Sequence, residues 1–243
     1  MPIPLKLRIG TVFRFKEKVE LYRLIAKNPG LPAPPEAHWY GMWSFVLHDI
    51  ANEDALLLVF PQLSFRIETR NSVPGISQST RYTDVALMDS VPNNIENENL
   101  PLTRVTTKVL IALEVKPPVP EDVPAHLKSR KEDLQFRSSE LSAKDQVLHH
   151  FSMKGRQAAE RVIAIAAVGD QWKWSDLQRR QGATPAYEST RAAAPYLDDH
   201  QNIISAAEVT ETAWSPILLF GSDDSTRHFK DILTILNDRR AYQ

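Results

Sequence analysis

The chain has no cysteine. That excludes disulfides, zinc–thiolate sites, iron–sulfur clusters and thiol nucleophiles. Glycine is scarce, eight in 243 residues, and no Gly-x-Gly-x-x-Gly or Gly-x-x-x-x-Gly-Lys-Ser/Thr pattern occurs. A dinucleotide fingerprint and a phosphate loop are therefore absent. Gly-x-Ser-x-Gly is missing too, so a hydrolase nucleophile elbow has no support. No apolar run approaches the roughly 18–20 residues that span a bilayer. Residues 1–11 alternate apolar and basic side chains around Pro2 and Pro4 and lack the apolar core of a secretory signal. These absences lead us to expect an intracellular protein of cytoplasm or nucleus, neither secreted nor membrane-bound. An excess of either charge is also missing. Lys and Arg total 29 against 30 Asp and Glu, a net charge of −1. No global basic field advertises a nucleic-acid coating protein, although an enzyme needs only a local basic groove.

What is present is ordinary globular material. A 42% hydrophobic and 24% charged chain of this length can bury a sizeable core. Residues 1–27 are locally basic, with Lys6, Arg8, Arg14, Lys16, Lys18, Arg23 and Lys27 against Glu17 and Glu20. This is either a phosphate-contacting arm or, more simply, a solvated face. Residues 28–37 are proline-rich and read as an irregular connector. We therefore divide the chain into an arm and connector, 1–37, and a domain, 38–243.

Within the domain, Trp39, Met42, Trp43, Val46, Leu47 and Ile50 recur at helical spacing. Residues 55–69 read as one strand bent at Pro61, 81–90 as a second and 102–116 as a third, with a turn at 71–80 and a polar loop at 91–101. Four prolines between 117 and 124 impose an extended or irregular link. Residues 125–139 are charged and read as mobile or weakly helical. A helix is expected over 140–161, burying Leu141, Val147, Leu148, Phe151 and Ala158, with a weak point at Gly155. The unbroken run Val162 to Val168 suits a strand covered on both faces. Residues 178–199 have no period and read as irregular. A short strand over 214–220, an N-cap within Gly221-Ser222-Asp223-Asp224 and a helix over 226–237 close the chain. Three strands, a helical crossover and a fourth strand imply an α/β fold with a mixed sheet and helices on both faces.

Two polar interruptions stand out. Asp84 lies inside the strand Arg81-Tyr82-Thr83-Asp84-Val85, and Glu114-Val115-Lys116 ends the third. Strands disfavour Asp, and a buried carboxylate is costly without a compensating cation. Residues two apart share a strand face, so Glu114 and Lys116 project together. If Asp84 lies on the neighbouring strand, two carboxylates and an ammonium converge where a divalent cation could sit. The competing interpretation is an incidental same-face ion pair with Asp84 facing solvent.

The order helix–three strands–helix–strand, with Thr83-Asp84 in the second strand and Glu114-Val115-Lys116 in the third, resembles the PD-(D/E)XK nuclease superfamily, the restriction-endonuclease-like fold. The likeness spans about residues 38–170, with Thr83 where Pro is usual. Pro61-Gln62 and Gly169-Asp170-Gln171-Trp172 are in addition similar to a poorly characterised fungal branch built on this domain. The resemblance implies an αβββαβ core and Mg²⁺ or Mn²⁺ held by Asp84, Glu114 and the carbonyl of Val115. It implies that Lys116 orients or deprotonates the attacking water, or stabilises the transition state. It implies a helper glutamine, Gln146 or alternatively Gln157, and an acidic helper on the first helix, Asp49 or Glu53. The implied partner is nucleic acid, DNA rather than RNA. Members of the family that kept the fold and lost the chemistry make an inactive binding module the alternative.

Other constellations carry less. His149 and His150 are adjacent, diverge by about 100° on a helix and cannot share one ion. Asp198-Asp199-His200 sits in an unpatterned stretch and reads as solvated loop. Trp172 and Trp174 could stack on bases, but aromatic residues two apart more often close a core.

Overall fold

The computed structural model describes residues 35–51, 57–70, 76–92, 105–152, 161–180 and 209–241, with isolated helical positions 20, 21 and 24. The basic arm, Glu53, Gly155, Gln157, Ala158 and Asp198-Asp199-His200 lie outside the described residues.

The chain runs α1 (Pro35–Ala51), β1 (Leu57–Arg70), β2 (Ile76–Pro92), β3 (Val105–Lys116), α2 (Ala125–Ser152), β4 (Arg161–Val168), β5 (Gln171–Arg179), β6 (Val209–Glu211), β7 (Leu218–Leu219) and α3 (Asp223–Ala241). The strands form one mixed sheet in the order β1-β2-β3-β4-β5-β6, with β7 also on β5. Among the described residues only β3 and β4 are parallel, joined by the α2 crossover. The fold is α/β, a seven-stranded sheet with helices on both faces. Among the described residues no helix is long and apolar enough to cross a membrane.

The helical spacing of α1 puts Trp39, Met42, Trp43, Val46, Leu47 and Ile50 on one buried stripe. They pack on Val85, Leu87, Ile111, Leu113, Val115, Ile163 and Ile165 of the sheet and on Phe229, Ile232, Leu233 and Leu236 of α3. Alternation sends Ala86, Ala112, Val162 and Ala164 to the other face, under Ala143, Val147 and Phe151 of α2. The β4 run is buried almost throughout, as a strand covered on both sides must be. Ser222 caps α3, its Oγ accepting from Ser225 N–H at 3.1 Å.

Several expectations are corrected. The supposed connector is helical from Pro35 onward, because proline is tolerated in a first helical turn. Residues 125–139, expected to be mobile or weakly helical, form the first half of α2, which begins at Ala125 rather than 140 and ends at Ser152. Their Leu, Lys, Arg, Glu and Gln side chains are good helix formers, and the stripe Phe136, Ser139, Ala143 and Gln146 gives the helix a buried side. That stripe leaves Leu141 on the opposite side, 68% exposed rather than buried. The strands β5 and β6 were not expected at all. In β5, buried Asp176 takes two hydrogen bonds from Arg161 Nε, at 2.9 and 2.7 Å, so a paired polar residue passes for loop. The expected strand over 214–220 shrinks to Leu218–Leu219, since Pro216 offers no N–H. Residues 76–80, expected in a turn, extend β2.

One irregularity lies in β1. Gln62 has φ +52°, a left-handed conformation uncommon for a non-glycine residue. The β1–β2 ladder runs from Leu57↔Asp89 to Pro61↔Val85 and resumes at Leu63↔Thr83. The turn at Gln62 switches the strand's facing. Val59 packs with the α1 layer, while Leu63 packs with the α2 layer.

Candidate active site

The site forms where β2 and β3 part. Their pairing ends at Val85↔Leu113. Beyond it β3 pairs with β4 alone, Glu114↔Ala166, Val115↔Ala167 and Lys116↔Val168. The backbone groups freed by this parting are taken by side chains of β2. Asp84 Oδ2 accepts from Val115 N–H at 2.7 Å. Thr83 Oγ1 donates to Leu113 O at 3.0 Å. A carboxylate inside a strand thus replaces a missing ladder bond, which is what retains Asp at a position strands disfavour.

By alternation with Ala112, Glu114 lies on the α2 face, while Asp84, which accepts from Val115 N–H and from Tyr40 of α1, sits at the parting of the strands. Glu114 is buried; its Oε1 accepts from Lys116 Nζ and its Oε2 from Gln146 Nε2, both at 2.6 Å. Gln146 Nε2 also donates to Tyr82 O at 2.9 Å. Both of its partners are acceptors, which fixes the amide orientation and leaves Oε1 pointing the other way. That Oε1 is buried and has no protein donor. Ser139, about two turns earlier on α2, donates to Glu114 O at 3.0 Å. Lys116 O in turn accepts from Gly169 N–H at 2.9 Å, which fixes the end of β3 against the β4–β5 turn.

Charge at this place is held under tension. Burial, and then the neighbouring Glu114 carboxylate, push Asp84 up from 3.8 to about 7. The Val115 N–H, the Lys116 ammonium and a hydrogen bond from Tyr40 act the other way. Two crowded carboxylates with one ammonium leave local demand for further positive charge.

Asp84, Glu114, Lys116 and Gln146 are thus brought together, with Val115 between the two strand residues. Asp49 is not. It lies nine residues beyond Tyr40 on α1, about 13 Å along the axis. There, with Phe45, His48, Ala51 and Leu57, it lines a separate cleft of about 370 Å³. Tyr40 is what α1 turns toward Asp84 instead. Sequence reasoning missed Tyr40, Ser139 and the turn at Gln62. A Tyr and a Ser on helices carry no distinguishing pattern; the only signal near Gln62 was the preceding proline. Both His149 and His150 are buried, and burial pushes His150 down to about 4, so it stays neutral. Trp172 is core: its indole stacks on Phe229 at 4.3 Å between ring centroids and donates to Ser225 Oγ at 3.1 Å.

Among the described residues no group of three or more His, Cys, Asp or Glu gathers to hold a metal. The available donors are two carboxylates and peptide or amide oxygens. That set fits Mg²⁺ or Mn²⁺, which take hard oxygen ligands, often only one or two carboxylates, and keep several waters. The orphaned Gln146 Oε1 suits a water in such a shell. No protein-family model matches this sequence, and no curated protein matches it.

Proposed function

We propose that this chain is a metal-dependent nuclease domain of the PD-(D/E)XK kind, hydrolysing phosphodiester bonds of nucleic acid, DNA rather than RNA, inside the cell. The observation that carries this reading is the close approach of Asp84 and Glu114 at the parting of β2 and β3, with Lys116 on Glu114. Asp84, Glu114 and the Val115 carbonyl would hold Mg²⁺ or Mn²⁺. When bound, such an ion supplies positive charge beside the phosphate and acidifies nearby water.

The protein's own groups do the rest. The half-buried Lys116 ammonium lies where it can orient the attacking water or donate to charge growing on the phosphate oxygens. The water's oxygen forms the new bond to phosphorus as the bond to the leaving oxygen breaks, and a proton passes to that leaving oxygen. Gln146 holds the Glu114 carboxylate in place and offers Oε1 to a water. Ser139 and Thr83 fix the backbone of β3 on which both Glu114 and Lys116 depend.

A second reading, an inactive nucleic-acid or protein binding module, draws on one observation. Both Glu114 oxygens already have donors, so a cation must displace one of them. A cleavage assay separates the two. Plasmid, linear duplex, single-stranded DNA and RNA are incubated with Mg²⁺ or Mn²⁺ and wild type, Lys116→Ala or Glu114→Ala. Metal-dependent cleavage that disappears in both variants is the expected result. No cleavage of any substrate, or equal residual cleavage in the variants, overturns the nuclease reading and favours the binding module.

A further inference from the structure

Tyr82 is the most exposed of the described aromatic side chains, 63% open to solvent, whereas Trp43, Phe151, Trp172 and Phe229 are buried. It lies two residues before Asp84, in the part of β2 that β3 has left. The β2–β3 pairing ends at Val85↔Leu113, so Tyr82 has a cross-strand neighbour on the β1 side alone, and that neighbour is Ser64. Cross-strand partners are what ordinarily steady an exposed strand aromatic, and a serine offers the ring little to pack on. Among the described residues no side chain bonds the Tyr82 hydroxyl or stacks on its ring. Its backbone is nonetheless fixed at the charged cluster: one amide, Gln146 Nε2, donates to Tyr82 O at 2.9 Å and to Glu114 Oε2 at 2.6 Å. The hairpin beside it is open, with Pro61, Gln62 and Ser64 exposed. Gln62, across the ladder from Asp84, is the residue held left-handed. Non-glycine residues in such a conformation gather at sites that contact ligands.

A ring with open faces beside a phosphodiester site has a chemical complement. Every nucleobase has a π-face, and an aromatic side chain takes it by stacking whatever the sequence. Inside a duplex both faces of a base are covered by its neighbours, so only an unpaired base can lie on the ring without first being extruded. The charge balance agrees. At a net charge of −1 the chain has no broad basic field with which to grip a duplex by its phosphates alone. We propose that Tyr82 is a base-stacking platform and that the substrate is single-stranded DNA or a single-stranded end, with an unpaired base laid on the Tyr82 ring next to the phosphate held at Asp84 and Glu114. The inference rests on the nuclease reading for that phosphate. Tyr82 touches the base and not the reacting atoms, so it governs which substrate is held and not the chemical step.

The test uses the full chain and one labelled oligonucleotide of mixed sequence, offered as a single strand and as a blunt duplex. Cleavage with Mn²⁺ gives kcat and KM, and fluorescence anisotropy with Ca²⁺ in place of Mn²⁺ gives Kd separately. Wild type is compared with Tyr82→Leu, which removes the ring, and Tyr82→Phe, which keeps it. The expected result is a kcat/KM for the single strand at least about tenfold above that for the duplex. Tyr82→Leu raises both KM and Kd for the single strand about tenfold and changes kcat less than about twofold, and Tyr82→Phe restores wild-type values. The side chain is exposed, so the thermal midpoint stays in place in both variants. A duplex cleaved as well as the single strand overturns the proposal. So does a Tyr82→Leu variant that binds like wild type, or a Tyr82→Phe variant as weak as Tyr82→Leu, which reports a role for the hydroxyl. No cleavage of either substrate, with Kd still weakened about tenfold in Tyr82→Leu alone, overturns the nuclease reading and supports the stacking platform. No cleavage with Kd unchanged overturns both.

Discussion

The two faces of the sheet are built from the same strands and have opposite chemistry. The α1–α3 face is closed with large apolar side chains. Trp43 meets Phe220 edge-on at 5.5 Å and Trp172 at 6.1 Å, and its indole N–H is satisfied by Gly169 O at 3.0 Å. The α2 face is made of alanines and valines near its centre and of Glu114, Lys116, Gln146 and Ser139 at its end, with Asp84 beside them at the parting of the strands. Small residues let α2 approach closely, and the polar groups then bond across the gap. One face holds the fold together; the other is where strand pairing stops and a charged cluster is held. Stability and activity should therefore respond to different residues.

The largest effect comes from breaking the apolar face. Trp43→Ala should cost roughly 3–5 kcal/mol, the range for deleting a buried aromatic side chain, measured by urea unfolding. Its cleavage rate per folded molecule should stay close to wild type. Glu114→Gln is the converse. It should reduce metal-dependent cleavage by at least about 100-fold, since one charged ligand of a metal-assisted step is worth several kcal/mol. Its shape is conserved, so the unfolding midpoint should move much less than in Trp43→Ala. If both variants lose stability and activity in parallel, the division between the faces fails.

The pH dependence sharpens the same comparison. Asp84 is raised from 3.8 to about 7 in the folded chain. Between those values the folded state holds a proton that the unfolded state has released. Folding therefore loses stability as pH rises from about 4 to about 7, by on the order of 4 kcal/mol. His150 works in the opposite sense. It is lowered from 6.5 to about 4, so its share of stability is present above pH 6.5 and is lost as pH falls toward 4. The Asp84→Asn variant should remove the first slope and keep the second, in urea titrations run from pH 4 to pH 8.

Two smaller effects complete the set. Gly169 has φ +61°, and a Cβ there would sit 3.2 Å from Pro118 Cβ. Gly169→Ala should therefore cost about 1–2 kcal/mol by thermal unfolding, from strain and crowding at the turn that anchors Lys116 O. Tyr40→Phe deletes one hydrogen bond to Asp84. It should weaken Mn²⁺ binding about fivefold, roughly 1 kcal/mol, by titration calorimetry, with the unfolding midpoint little changed.

Much of this was legible in the residues. The apolar stripe of α1 and the unbroken β4 run declare themselves, because burial on one side or on both dictates their pattern. The pair Glu114 and Lys116 was legible from strand alternation, and Asp84 from its oddness in a strand. What was hidden was pairing between polar groups. Asp176 and Arg161 neutralise each other across β4 and β5, and Lys173 of β5 bonds Glu140 of α2. A strand stitched by such contacts has the composition of a loop. The reach of α2 was hidden for a related reason. Its first half is mostly exposed, and Leu141 suggested a buried side that the sheet does not occupy. Tyr40 carried no pattern because its role depends on where α1 crosses the sheet, a tertiary fact.

The parallel pairing of β3 with β4 has a consequence for the order of events in folding. The β1–β2 hairpin and the β2–β3 pair join neighbours in sequence, whereas β3 must wait for the stretch 117–160 to loop back before Glu114 and Lys116 gain Ala166 and Val168 beside them. Contacts across such a loop close late, after its entropy has been lost. Gln146 reaches Glu114 from that same stretch. A nascent or partly folded chain therefore has its hairpin before it has its charged cluster. Any chemistry the cluster performs waits for the β3–β4 closure.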